Sequence, residues 1–238
     1  MEERMAKNKL NIFLLIDTSK SMQGKRIKQV NQAITDIQNF LTDFQNENDQ
    51  ADFYVTIIPF SNSASLYNNK KEQRIDQLVF NGLKAGGWSN LHLALEELGT
   101  LLNKESKGGV MPDFGGLAPI ILILSDGHPT TQKYRQTLAS LEKLPWYKVA
   151  LKYGIAIGLD DERTVKVLKD FTTDAGDVIM CYNTNQLNAI FQIVVVTASK
   201  VSSQSAGQSQ PVDKKLVIRQ IIVDNLENLK EDDWEVTW

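Results

Sequence analysis

Four strongly apolar runs of strand length, at 10–16, 55–60, 119–124 and 151–157, broken only by Asn11, Thr56 and Lys152, constrain this chain more than anything else in its sequence. A strand that is apolar on both sides needs cover on both faces, as inside a parallel sheet sandwiched by helices. The intervening segments supply that cover. Ile27, Val30, Ile34, Ile37 and Leu41 fall on one helical stripe, and Leu91, Leu95, Leu98 and Leu102 on another. A third helix is predicted over 134–144, stopping at Pro145. A fourth runs from a cap at Asp160 or Asp161 through Val165, Leu168 and Phe171. A short last strand at 177–181 and a closing helix over 185–198 complete the alternation. Such alternation predicts an α/β domain with an open, doubly wound, mostly parallel central sheet flanked by helices. Any ligand site then lies outside the carboxyl ends of the strands.

With 238 residues, 42% of them hydrophobic, the chain can bury one sizeable core. The periodic pattern stops near Ser199, so the domain is expected to span 1–199. A polar, aperiodic linker follows at 200–213, then an acidic tail at 214–238 carrying Trp234 and Trp238. The tail reads either as a solvating end or as a docking segment. In the second case it adds a strand to a sheet edge, with self-association as one result, or offers a carboxylate to a metal. A formal charge of -3 and a pI near 5.5 give no basic field, so nucleic acid is not an expected partner. The single cysteine, Cys181, cannot close an internal disulfide, which fits a reducing compartment. The run at 10–16 is far too short to cross a bilayer, and the charged residues before it do not resemble a leader. The expectation is a cytoplasmic protein without a membrane partner.

The chemistry sits at strand ends. The first run leads directly into Asp17-x-Ser19-x-Ser21, whose side-chain oxygens alternate along a turn and can be aimed at one point. The run at 119–124 ends in Ser125-Asp126-Gly127, placing a second carboxylate at the same sheet edge, and Gly86-Gly87-Trp88-Ser89-Asn90 brings another hydroxyl just before a helix. Two carboxylates with several hydroxyls make an all-oxygen shell. Such a shell suits hard Mg²⁺, and also Mn²⁺ or Ca²⁺, better than zinc. One coordination position left open can accept an acidic side chain from another molecule.

This set resembles the metal ion-dependent adhesion site of von Willebrand factor A domains. The resemblance covers roughly 10–198 in element order. More narrowly, Gly86-Gly87-Trp88-Ser89 and Leu124-Ser125-Asp126-Gly127-His128-Pro129-Thr130 are similar to the bacterial TerY-like branch linked to tellurium resistance and stress response. It implies a Rossmann-like fold with Asp17, Ser19 and Ser21 as first-loop metal ligands, and Asp126 as a ligand directly or through water. A second-loop hydroxyl, usually threonine, falls here on Ser89, although Trp88 can occupy that family position instead. The implied function is binding of an acidic protein segment through the cation, accessory to a kinase, a phosphatase or another stress-response component, with no catalysis.

Other residues carry less. Lys25 and Arg26 read as solvated residues of a first helical turn. His128 reads as a loop residue, because no nucleophile or second histidine accompanies it. His92 belongs on a helix surface, and Cys181 reads as a small core residue. Trp88, between a glycine and Ser89, either roofs the core or forms an apolar lip around the metal. The glycine-rich stretch 108–116 precedes a strand and lacks the Lys-Ser or Lys-Thr of a phosphate loop, which removes a nucleotide hydrolase. A metal-dependent phosphohydrolase is the alternative from another class. It needs a nucleophilic carboxylate or an activated water, with a general acid-base close by, and Ser19 stands where the haloacid dehalogenase pattern has its second aspartate.

Overall fold

In a computed structural model the described residues are 7–47, 51–127, 129–158, 162–172 and 177–204, together with Gln220 and Asp224. Strands β1 (Asn8–Asp17), β2 (Ala51–Phe60), β3 (Gln73–Arg74), β4 (Ile120–Ser125), β5 (Leu151–Ile157) and β6 (Val178–Cys181) form one sheet in the order β3-β2-β1-β4-β5-β6. All pairs are parallel except β2 with β3. The fold is therefore α/β, Rossmann-like and doubly wound. The chain steps outward from β1 to β2, then returns across β1 to lay β4 on its other side. That reversal opens a crevice between the carboxyl ends of β1 and β4.

Helices α1 (Lys25–Glu47), α2 (Leu91–Leu101), α3 (Tyr134–Leu141), α4 (Pro145–Val149), α5 (Glu162–Thr172) and α6 (Thr184–Gln204) supply the two covers. On one face Leu10, Ile12, Leu14 and Ile16 of β1 meet the Ile27–Leu41 stripe of α1 and Leu187, Phe191 and Val194 of α6. On the other, Phe13 and Leu15 meet Leu91, Leu95 and Leu98 of α2, with Tyr134, Tyr147 and Phe171 behind. The period-two alternation of β1 thus feeds two separate cores, which is why its stretch 12–16 is apolar without a break.

The structure corrects the predicted elements at three places. The helix predicted over 134–144 ends at Leu141, and Pro145 does not merely stop it: it starts α4 from the first position. A proline lacks an amide hydrogen that the first helical turn cannot use, so it fits there. The hairpin-like strand β3 had no alternating signal long enough to read. The closing helix continues to Gln204, so the first residues of the expected linker at 200–213 are helical. Asp160 and Asp161, the remainder of that linker and, apart from Gln220 and Asp224, the tail at 214–238 lie outside the described residues. Cys181 is buried at the end of β6, as its apolar reading required.

Candidate functional site

Three loops meet at the reversal. The first leaves β1 at Asp17 and turns through a short 3-10 segment, Lys20–Met22, whose Met22 is fully buried and anchors it. The second, before α2, is laced to the first by backbone bonds from Gly86 N to the Thr18 carbonyl (2.7 Å) and from Lys20 N to the Gly87 carbonyl (2.9 Å). The third follows β4 and is joined to the second by Thr130 N donating to the Ser89 carbonyl (2.7 Å). The Thr130 hydroxyl returns by accepting from Ser89 N at 3.1 Å.

Gly87 makes this crossing possible. Its φ of +85° is left-handed, and a β-carbon there would fall 2.8 Å from the Asn62 side chain. With none, Asn62 Oδ1 takes the Trp88 amide at 2.8 Å. The turn sends Trp88 outward, 69% exposed, and turns Ser89 inward, 7% exposed. Trp88 therefore lines the rim of an open cleft of ≈ 450 Å³ together with Lys20, Ser21 and Ser89. It is a lip and not a roof over the core.

The five residues read from sequence converge. Asp17 is fully buried; its Oδ1 accepts the Ser19 amide at 2.8 Å, and its Oδ2 accepts the hydroxyls of Ser89 (2.9 Å) and Ser125 (2.8 Å). Ser21 donates its one hydroxyl proton to Asp126 Oδ1 at 2.7 Å, so in the 3.0 Å contact between Ser19 and Ser21 the proton comes from Ser19. Ser89, and not Trp88, brings the second-loop hydroxyl to Asp17. Among the described residues no group of three or more His, Cys, Asp or Glu is placed to hold a metal. Any cation here must therefore use hydroxyls as well as carboxylates.

The donor set suits such an ion: two carboxylates and three hydroxyls, all hard oxygen donors, meet in one crevice.

One reading from sequence is overturned. Arg26 is not a solvated residue of the first turn: its Nη1 lies 2.7 Å from Asp126 Oδ2 and also donates to the Ser21 carbonyl at 2.9 Å. Asp126 has a fully buried side chain. Burial pushes its pKa above the ordinary aspartate value; the Ser21 hydrogen bond and the Arg26 charge pull it down, and Asp17 pushes it up again. Ser125 and Thr130 also belong to the site and were not singled out. Ser125 had a readable signal, since it directly precedes the strand-end aspartate; for Arg26 the helix period alone gives no clue that the side chain reaches back to β4. His92 is half-buried on α2, and His128 lies outside the described residues.

Comparison with known proteins places the fold in a family. The family model described as the von Willebrand factor type A domain matches residues 11–194. Over 164 residues the chain is 27% identical to human inter-alpha-trypsin inhibitor heavy chain H6, covering 65% of this chain and 12% of that protein. Over 126 residues it is 29% identical to the bovine heavy chain H4, covering 50% and 13%. It thus spans only a small part of those relatives' length. Among solved structures, the pilus adhesin SpaC from Lactobacillus rhamnosus GG superposes with a TM-score of 0.62 at 15% identity, covering 83% of this chain and 31% of that one. Proximal thread matrix protein 1 from the mussel byssus, in the form with a zinc-occupied MIDAS motif, gives 0.54 at 17% identity, covering 80% and 48%. At such identities the likeness is one of fold.

Proposed function

This chain belongs to the von Willebrand factor type A domain family, and we propose that it is a binding module that grips an acidic segment of a partner protein through a divalent cation. The observation that carries the proposal is the meeting of Asp17, Ser19, Ser21, Ser89 and Asp126 at the sheet's reversal, two carboxylates and three hydroxyls in one hydrogen-bonded cluster. These five residues are the proposed metal site, with Mg²⁺ the best fit and Mn²⁺ or Ca²⁺ as substitutes. A cation bound there supplies a positively charged open position that accepts a carboxylate oxygen. The chain's own part is to hold the hydroxyls in place, keep bulk water from the buried carboxylates and offer Trp88 as an apolar lip beside the incoming group. Occupation of the corresponding motif by zinc in the mussel protein supports metal loading in this one.

The finer reading rests on the sequence resemblance. We assign the chain to the TerY-like branch, acting in the cytoplasm beside a kinase, a phosphatase or another component of a tellurium-resistance or stress-response system. Within it, 1–199 forms the module, and the acidic tail at 214–238 is a docking segment, with self-association as one outcome. Among the described residues no helix is long and apolar enough to cross a membrane.

The phosphohydrolase alternative asks for a nucleophilic carboxylate, or an activated water, with a general acid-base close by, and Ser19 stands where the haloacid dehalogenase pattern has its second aspartate. We therefore propose binding without catalysis.

Calorimetric titration with Mg²⁺ and Mn²⁺ tests the site: one ion should bind per chain, and the double variant D17A/D126A should bind none. Equal uptake by both proteins overturns the metal assignment. Capture of partners from the native host should depend on the metal and be lost in chelator. Phosphomonoester turnover by metal-loaded protein, lost in D17A and in D126A, would replace binding with catalysis.

A further inference from the structure

Arg26 stands in the first turn of α1, yet its guanidinium is carried back to the end of β4. Three contacts fix it there. Nη1 donates to Asp126 Oδ2 at 2.7 Å and to the Ser21 carbonyl at 2.9 Å. Its side chain also lies against Gly158 at the end of β5. A β-carbon on Gly158 would sit 3.3 Å from Arg26 Nε, and the residue's φ of +67° is itself left-handed. The fit leaves Asp126 with one oxygen on Ser21 and the other on a permanent cation. Guanidinium suits this post because it stays charged, is weakly hydrated and tolerates partial burial; 32% of the side chain remains exposed.

We infer that Arg26 is a specificity-determining positioning residue that keeps the loaded site net positive, trading metal affinity for affinity toward the acidic ligand. This rests on the metal reading of Asp17 and Asp126 given above. Two carboxylates alone neutralise a dication, and a neutral site has little pull on a further carboxylate. With Arg26 held against Asp126, one positive charge is left over, and an incoming carboxylate is what balances it. The same charge repels the metal, so that metal and acidic ligand bind more strongly together than either does alone. A guanidinium that merely held the loop would give no such opposition of sign.

The test uses Mn²⁺, read by water-proton relaxation, on the wild-type chain and on R26Q and R26K, with acetate as the carboxylate probe. Losing a unit charge beside the site should tighten Mn²⁺ by about tenfold or more in R26Q and weaken acetate on the Mn²⁺-loaded protein. R26K, which keeps the charge, should stay within about twofold of wild type for both. Should R26Q not fold in chelator, R26M, whose apolar stem still covers Gly158, takes its place. Mn²⁺ bound equally or more weakly by the charge-free variant overturns the inference, as does R26K behaving like R26Q. If the wild-type chain takes up no Mn²⁺ at all, the metal site itself falls, and this reading with it.

Discussion

Asp17 ties the site together as well as facing it, because it accepts a backbone amide and two hydroxyls from three segments of chain. Asp17→Ala leaves these donors buried without a partner, which costs about 2–4 kcal/mol. In EDTA its melting temperature should drop by roughly 5–10 °C, on the scale expected for a domain of this size; an unchanged melting curve refutes the stitching role. Gly87→Ala should also be costly, by about 1–3 kcal/mol, since it needs both a left-handed backbone and the space taken by Asn62. Its separate signature is loss of metal uptake as Ser89 is displaced. Asp126 sets the pH response. Its carboxyl holds a proton more tightly in the folded protein than in the unfolded chain, chiefly through burial. In chelator, its contribution to stability is therefore greatest below the unfolded value and is lost as pH rises through the folded value. A proton there also competes with the metal, so Mn²⁺ affinity should fall on acidification, beginning above the ordinary aspartate range. A flat Mn²⁺ affinity profile through that range excludes Asp126 as a ligand.

At the level of elements, what could be read was what repeats. β1 and β5 follow from their apolar runs, and α1 and α2 from stripes that bury Ile27, Val30, Ile34, Leu91, Leu95 and Leu98. Their ends were harder. β2 begins at Ala51, where Asp52 and Tyr54 interrupt the apolar run, because the register with β1 pairs Asn8 with Ala51 and carries the strand past the apolar segment. Pro145 marks a break in either reading, and only tertiary packing of Tyr147 against Phe171 shows that a helix starts on it. The far edge of the sheet gives an element-scale prediction. Cys181 closes β6 with its thiol on the Asn183 carbonyl, and burial pushes its pKa up to about 12. Thiolate is the reactive form, so iodoacetamide at pH 8 should label the native protein at least ~100-fold more slowly than the urea-unfolded chain. Labelling that outpaces global unfolding would mean that β6 and α6 open as a unit of their own.

For the molecule as a whole, the class of fold and the location of the site were legible because both follow from chain order. A first apolar strand ending in Asp17, and a later one followed directly by Asp126, become neighbours once β4 is laid beside β1. Arg26 was not legible, because its role depends on a distance across the crevice and not on any spacing along α1. Saturating Mg²⁺ at a hundred times its dissociation constant should stabilise the whole domain by about 2.7 kcal/mol if the ion binds only the folded form. The acidic tail belongs to this scale too. Cutting the chain after Gln204, where α6 ends, should tighten partner capture or turn dimers into monomers by light scattering. Unchanged mass and unchanged capture make the tail a solvating end. The hydroxyl network has a consequence in time. Ser19, Ser21 and Ser89 already face the carboxylates, so an arriving ion asks of them little more than a turn of three O–H bonds. Entry should then run at the pace at which the ion sheds its own water, making Mn²⁺ quick and Mg²⁺ slow in stopped flow, with the protein itself contributing almost no delay.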